Sequence, residues 1–231
     1  MDLGYTVRPV ICRTDDDTLT HGFFGSGFLI MSTRGFPYFI TALHVLTNHG
    51  REPSDLQVPY ALGAHEPLPF GQPFNARVED APNLADLLAL PIPAQFVLEK
   101  EIWKNLYPLR PTDTNSKVGD TAVVIGFPHD YQEVFYEDNR GEYVPTSMTC
   151  TISNITEEEQ VLELSTPSEV ELTTFDLFSG SPVYAFRDPK VAYLAGVVLQ
   201  GGREANRLFA LSSRILYNLI EIHERNNAAE P

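Results

Sequence analysis

Cysteine is scarce in this chain, and no export signal is predicted. The 231 residues include only two cysteines, Cys12 and Cys150, too few for the disulfide framework of a small secreted domain. The first 17 residues contain no apolar stretch of useful length and end in three aspartates, so no signal peptide is predicted. Both observations favour a reducing cytoplasm, and we expect the two thiols to be buried and unreactive.

Basic residues and long apolar runs are also lacking. Lys and Arg number 16 against 31 Asp and Glu, which gives a formal net charge of −15. Such an acidic surface repels nucleic acids and anionic lipids, so we expect neither a nucleic acid nor a membrane as a partner. No apolar run approaches the roughly 20 residues that a membrane-spanning helix needs. The hydrophobic share of 43% instead suits an ordinary globular protein with a sizeable core.

Several motifs for other chemistries are missing. Apart from His44, the histidines show no ligand spacing, and neither H-E-x-x-H nor C-x-x-C occurs, so no metal site is expected. The glycine-rich segment at 22–28 lacks the Gly-Lys-Ser/Thr ending of a phosphate-binding loop. G-x-S-x-G is absent as well, which argues against an α/β-hydrolase.

What the chain does contain is a series of short strand-like runs. Its 18 prolines and 15 glycines are spread along the sequence, which favours many short strands joined by turns. Apolar and alternating runs predict strands at 7–12, 22–31, 38–41, 75–78, 87–91, 121–125, 148–155, 161–165, 183–186, 193–199 and 207–211. Residues 92–117 are predicted to be a connector, and residues 44–47 a single helical turn. Apolar residues at helical spacing follow Ser212 and Ser213, a good N-cap pair, and predict a C-terminal helix.

Three of these segments carry residues that can act together. His44, Asp86 and Ser179 occur in that order, each within an apolar segment predicted as a strand or its edge. A serine hydroxyl is a weak nucleophile at neutral pH. It needs an imidazole to accept its proton and a carboxylate to orient that imidazole. The chain order His, Asp, Ser differs from the orders found in subtilisins and in α/β-hydrolases.

The three segments resemble sequence boxes of the trypsin/chymotrypsin-like serine peptidases. Residues 41–45 (T-A-L-H-V) look like the T-A-x-H-[CV] box, and residues 86–90 (D-L-L-A-L) like the D-[LI]-A-L-L box. Residues 177–183 (L-F-S-G-S-P-V) look like the G-D-S-G-G-P-V box. The resemblance implies an all-β fold of two antiparallel six-stranded β-barrels with a C-terminal α-helix. It places the histidine and the aspartate in a barrel at 1–100 and the serine in a barrel at 101–231.

Two members of this triad have rivals close by in the sequence. Asp86 begins an apolar run, where a carboxylate needs a partner such as an imidazole N–H. Asp80 follows Glu79 in a segment that is more simply a solvated loop. In the serine box the nucleophile precedes Gly-x-Pro, which selects Ser179 over Ser181 and leaves a glycine directly after it for a tight turn.

The serine box departs from the family at two positions. The resemblance implies an oxyanion hole built from the N–H groups of Ser179 and Leu177, yet Leu177 stands where the family has glycine. Phe178 stands where digestive members have the aspartate that pairs with a freshly cut N-terminus. We therefore expect no activation through that ion pair, and control by a conformational change or by a partner instead.

The specificity region is also located by the resemblance. Counting from Ser179 places the pocket floor near Thr173 and Thr174, and the substrate-pairing strand at Leu199, Gln200 and Gly201. No aspartate lies at the floor, so neutral, small or apolar side chains are expected rather than Lys or Arg. Arg203 and Arg207 near the rim leave acidic side chains as an alternative, unless both are simply exposed surface charges.

The sequence thus predicts a cytoplasmic serine endopeptidase that needs no cofactor and cleaves protein or peptide substrates through an acyl-enzyme. A regulatory or effector-complex protein is expected as a further partner. Two alternatives remain open. One is a protease fold kept as a binding module with little or no catalysis, and the other is an esterase-like acyl hydrolase that uses the same triad.

Overall fold

The computed structural model describes residues 2–14, 21–75, 86–128, 132–135, 140–156, 160–167, 178–188, 191–202 and 206–228. Within these ranges the strands are β1 (Val7–Arg13), β2 (His21–Met31), β3 (Pro37–Ala42), β4 (Phe74–Asn75), β5 (Leu87–Pro91), β6 (Tyr107–Pro108), β7 (Thr121–Gly126), β8 (Gln132–Phe135), β9 (Arg140–Tyr143), β10 (Thr146–Thr156), β11 (Val161–Ser165), β12 (Pro182–Asp188), β13 (Val191–Gly202) and β14 (Arg207–Ser212). The α-helices are α1 (His44–Thr47), α2 (Ala94–Glu99) and α3 (Ser213–Ala228).

The first half of the chain forms a six-stranded sheet. Its strands lie in the order β1-β2-β3-β5-β4, all antiparallel, and the short β6 pairs with β2 in parallel. β2 and β3 form a hairpin, in whose turn the Ser32 hydroxyl accepts the Phe36 N–H at 3.1 Å and Gly35 adopts a φ of +85°. All six residues of β3 are buried, so the end of this strand is held firmly where α1 begins.

The second half forms a closed six-stranded barrel. Its strands follow one another in the order β10-β11-β14-β13-β12-β7, and β7 closes the ring by pairing with β10. Alternate residues of these strands point inward, as the burial pattern of β10 shows, and fill the barrel with apolar side chains. The hairpin of β8 and β9 is a separate two-stranded sheet.

The C-terminal helix α3 returns to the first sheet. It starts as predicted, with the Ser212 hydroxyl accepting the Arg214 N–H at 3.3 Å. Near its other end, Tyr38 of β3 donates to the Glu224 carboxylate at 3.0 Å, and the His223 ring stacks on Phe74 at 3.6 Å between centroids. α3 therefore connects the barrel to the sheet. No helix in the described part of the chain is long and apolar enough to cross a membrane.

The predicted all-β fold with a C-terminal helix is confirmed, and so is the helical turn at 44–47. The strand predicted at 75–78 lies mostly outside the described residues. The connector at 92–117 contains α2 and β6, which were not predicted. α2 begins directly after Pro93, and a proline at a helix start removes no intrahelical hydrogen bond, so it does not prevent a helix. β8 and β9 were also missed.

Candidate active site

His44 lies at the junction between β3 and α1. The strand ends at Ala42, Leu43 follows in a helical conformation, and His44 is the first residue of α1. The Leu43 N–H donates to the carbonyl of Asp86 at 3.1 Å, just before β5. Because β3 and β5 are neighbours in the sheet, this bond fixes the start of the helix against the residue that precedes β5.

Asp86 contacts His44 with both carboxylate oxygens. Oδ1 accepts the His44 backbone N–H at 2.7 Å, and Oδ2 lies 2.5 Å from Nδ1 of the imidazole. A carboxylate oxygen can only accept, so the geometry places the proton on Nδ1 and leaves Nε2 as the basic nitrogen. Each side chain keeps about a quarter of its surface exposed, at 26% for His44 and 23% for Asp86. This pair can accept a proton from a nucleophile and carry the resulting charge.

Ser179 lies in a tight turn just before β12, the barrel strand that begins at Pro182. Ser181 donates its N–H to the carbonyl of Phe178 at 2.8 Å, and Gly180 between them has a φ of +82°. A side chain at Gly180 would be strained, because its Cβ would also lie 2.0 Å from the carbonyl oxygen of Ser26. The predicted need for glycine after the serine is therefore explained by both backbone angle and space.

The Ser179 hydroxyl is engaged by a backbone carbonyl. Its Oγ donates to the carbonyl oxygen of Leu199 at 3.0 Å, and the residue is 6% exposed. Among the contacts between described residues there is no hydrogen bond from Ser179 to His44. Proton transfer to the imidazole therefore requires the hydroxyl to rotate away from Leu199.

Phe178, just before Ser179, and Ser181, two residues after it, are fully buried. Phe178 packs into the apolar interior of the barrel at 0% exposure, so a ring occupies the position where the family has a carboxylate. Ser181 is also at 0% exposure, and its hydroxyl has no hydrogen-bond partner among the described residues. This burial favours Ser179 over Ser181 as the nucleophile.

The stretch Leu199–Gln200–Gly201 lies on β13 beside Ser179. β12 pairs with β13 only as far as Val197. At the next residue of β13, the Val198 carbonyl accepts the Gly180 N–H of the turn at 2.8 Å. β14 pairs along the other side of β13, through Gln200. Beyond Val198, therefore, no described strand pairs with the edge of β13 that faces β12. Leu199 falls in a bulge between Val198 and Gln200.

Several sequence-predicted residues fall outside the described ranges. Leu177, Thr173 and Thr174 lie there, as do the rival Asp80 and the rim candidate Arg203. Arg207 is described, and its guanidinium pairs with Glu163 at 2.6 Å. This partner accounts for its charge without a substrate.

The acceptor role of Leu199 toward the hydroxyl was not predicted. A main-chain carbonyl leaves no mark in the residue type, so no motif could have identified it. The same holds for the backbone contacts of Ser26, which was predicted only as part of the strand at 22–31.

Comparison with known proteins places the chain in a family. A model of the trypsin-like peptidase domain matches residues 25–192, which include His44, Asp86 and Ser179, and the chain therefore belongs to this family. The resemblance inferred from the three sequence boxes is confirmed. No curated protein sequence matches the chain significantly.

Solved structures share the fold at low identity. The scabies mite inactivated protease paralogue S-I1 has a TM-score of 0.59 at 15% identity, with 98% of this chain and 97% of that chain covered. Human heparin binding protein has a TM-score of 0.55 at 13% identity, with 95% and 91% covered. A structure of HBP has a TM-score of 0.55 at 14% identity, with 95% and 90% covered. These similarities show the fold, which is the predicted chymotrypsin-like one.

Proposed function

We propose that this chain is a serine endopeptidase in which Ser179 attacks the substrate carbonyl and His44 takes the hydroxyl proton. Asp86 orients the imidazole and stabilises its protonated form. The observation that carries the proposal is the double contact of Asp86 with His44, at 2.7 Å to the backbone N–H and 2.5 Å to Nδ1. This contact fixes the tautomer that a general base needs.

An extended peptide is the substrate that the site supports best. Beyond Val198, β13 has a side that no described strand covers, and a peptide can add there as a further strand next to Ser179. We assign Leu199, Gln200 and Gly201 to this pairing, and Thr173 and Thr174 to the pocket for the side chain before the cleaved bond. The amides of Ser179 and Leu177 are assigned to the oxyanion. The proposed reaction needs no cofactor.

Control without a zymogen step is part of the proposal. Phe178 is packed in the barrel, so its position offers no carboxylate to a new N-terminus. The Ser179 hydroxyl rests on the Leu199 carbonyl, which supports a resting state that a substrate, a conformational change or a regulatory protein converts. We place such an enzyme in the cytoplasm. Full-rate cleavage of an unstructured protein by the isolated chain would contradict this control.

A fluorophosphonate probe tests the nucleophile, since it forms a covalent bond with an activated serine and does not depend on peptide binding or turnover. We expect the wild-type chain to be labelled and Ser179→Ala not to be. Ser181→Ala is the matched control, two residues away, and should keep its labelling because that hydroxyl is buried and bonds no described residue.

The role of Asp86 has its own test. Asp86 accepts with both oxygens, and Asp86→Asn replaces one of them with an NH2 that cannot accept. With the remaining oxygen on the His44 backbone N–H, the NH2 faces Nδ1 and favours the wrong tautomer, and the equivalent change in a Ser-His-Asp triad lowers kcat about 10⁴-fold. We expect a loss of that order in peptide turnover, with KM little changed. Turnover of esters but not of peptides by the wild type would favour the acyl-hydrolase alternative.

A binding module without catalysis is the second candidate. The hydrogen bond of the Ser179 hydroxyl to the Leu199 carbonyl, with none to His44 among the described residues, favours it. One solved structure with this fold is described as an inactivated protease paralogue. Absence of labelling, both alone and with a partner protein present, would select this candidate over the enzyme.

A further inference from the structure

We propose that Ser26 is a positioning residue for the nucleophile turn, defined here as residues 178–181. The proposal rests on the proposed function, since it names a residue on which the alignment of Ser179 depends. Ser26 lies on β2 and is fully buried, at 0% exposure. It acts through the backbone of the turn, because its N–H bonds the Ser179 carbonyl.

Hydrogen bonds of Ser26 reach three different segments of the described chain. Its N–H donates to the carbonyl of Ser179 at 2.9 Å. Its Oγ accepts the N–H of Phe127, directly after β7, at 3.0 Å. Its carbonyl accepts the hydroxyl of Thr41 on β3 at 2.8 Å. One residue therefore links the first sheet, the end of β7 and the nucleophile turn.

This link matters because the triad is divided between the two halves of the fold. His44 follows β3 of the first sheet, whereas Ser179 precedes β12 of the barrel. The bond between Ser26 and the Ser179 carbonyl joins these halves within the residue that carries the nucleophile. A displacement of about 1 Å in such an arrangement can cost about a hundredfold in rate.

The nucleophile turn is closely packed against Ser26 and its neighbours. A Cβ on Gly180 would lie 2.0 Å from the Ser26 carbonyl oxygen and 2.4 Å from the Thr41 hydroxyl, so the turn rests directly on both. A Cβ on Gly126 would lie 2.8 Å from the Phe178 ring and 3.0 Å from the Ser26 hydroxyl. The end of β7 thus packs against the turn and against the Ser26 side chain together.

The hydroxyl of Ser26 is the part that a substitution can remove cleanly. Without it, the buried Phe127 N–H loses the acceptor that Ser26 supplies. This hydrogen bond is one that ties the end of β7 to β2. The backbone bond from Ser26 to Ser179 remains possible in an alanine variant. The effect should therefore appear as misplacement of the turn rather than as loss of the fold.

The test compares Ser26→Ala with Ser213→Ala. Ser213, the first residue of α3, is also fully buried. Its hydroxyl also bonds a backbone group, by donating to the Asp113 carbonyl at 2.7 Å. We expect Ser26→Ala to lower both kcat and the rate of fluorophosphonate labelling at least tenfold, with KM within twofold. Ser213→Ala should leave all three within twofold. Equal losses in the two variants, or a raised KM with unchanged kcat, would overturn the proposal.

Thr41→Val provides a second variant if Ser26→Ala does not fold. It removes the hydroxyl that holds the Ser26 carbonyl while keeping the side-chain shape. We expect a smaller loss of kcat in the same direction. In the double variant the losses should be less than multiplicative, because both changes act on the same turn. Fully independent effects would count against the proposal.

Hydrogen exchange separates this proposal from the proposed function. The Gly180 N–H bonds the Val198 carbonyl, so its exchange reports opening of the turn without any catalysis. We expect Ser26→Ala to speed exchange there at least tenfold and Ser213→Ala less than twofold. If the wild type never reacts with the probe, the proposed function fails. The role of Ser26 then stands or falls on whether exchange at Gly180 rises.

Discussion

Cys12 and Cys150 lie on different sheets, β1 and β10, and both are free and buried. Burial raises the pKa of the Cys150 thiol to about 12. For Cys12, burial and then the nearby carboxylate of Asp55 raise the pKa to about 12. A thiolate is the reactive form, so almost none is present near neutral pH.

We therefore expect both thiols of the native protein to resist Ellman's reagent at pH 8. In guanidinium chloride the same sample should react at once, with two thiols per chain. Stoichiometric reaction of the native protein within minutes would contradict the burial that protects them.

Among single residues, a contact between side chains could be anticipated from the sequence, whereas a contact of the backbone could not. The pairing of His44 with Asp86 was predicted from residue type and spacing, and the two side chains are in contact, while their catalytic roles stay a prediction. The partner of the Ser179 hydroxyl was not predicted, since it is the carbonyl of Leu199. Ser26 was likewise predicted only as part of a strand, since its contacts with Ser179 and Thr41 use its backbone groups.

At the scale of elements, the contact between α3 and β3 depends on one buried carboxylate. Glu224 is 5% exposed, with the Tyr38 hydroxyl at 3.0 Å from Oε1 and the Arg34 guanidinium at 3.6 Å from Oε2. Burial and the neighbouring carboxylate raise the pKa of Tyr38, so this hydroxyl stays protonated and able to donate. A charge in this position needs its donor.

Tyr38→Phe should lower the free energy of unfolding by about 1.5–3 kcal/mol, the range for a hydrogen bond to a charged group. Urea denaturation measures the loss, and hydrogen exchange should rise in the last two turns of α3. Tyr217→Phe on the same helix is the control, because the Tyr217 hydroxyl bonds no described residue. If both variants lose equal stability, the bond to Glu224 contributes nothing specific.

Strands and helix were predictable to different degrees. β5 was predicted to the residue because its apolar run is bounded by Asp86 and Pro91. α2 and β6 were not, because a six-residue helix and a two-residue strand are too short to show a period. They form only because β2 and the neighbouring core provide contacts for them.

At the scale of the whole molecule, stability should depend on pH through Asp113. This residue is 2% exposed, and its Oδ2 accepts the Tyr107 hydroxyl at 3.2 Å and the Arg110 N–H at 3.1 Å. Burial raises its pKa from 3.8 to about 6. Between these two values the folded chain holds a proton that the unfolded chain has lost. The contribution of Asp113 to the free energy of unfolding therefore falls as the pH rises through this window.

Asp113→Asn removes this titration while keeping an oxygen acceptor. From pH 4 to pH 7 we expect the stability of the wild type to fall relative to the variant, by up to about 3 kcal/mol. Urea denaturation of both proteins at each pH gives this difference, in which the effects of the other groups cancel. A difference that stays constant with pH would show that the carboxyl titrates at its ordinary value.

The hydrogen bond between the Ser179 hydroxyl and the Leu199 carbonyl can lower the rate of the proposed reaction only by the fraction of molecules in which it is formed. A neutral hydrogen bond contributes about 0.5–1.5 kcal/mol net, which corresponds to a ratio of roughly 2 to 13 between bound and released hydroxyl. At any moment about 7% or more of the molecules would then have a hydroxyl free to rotate toward His44. This bond can slow a peptidase by about 14-fold at most, so a chain that is fully silent in the cell needs a second restraint.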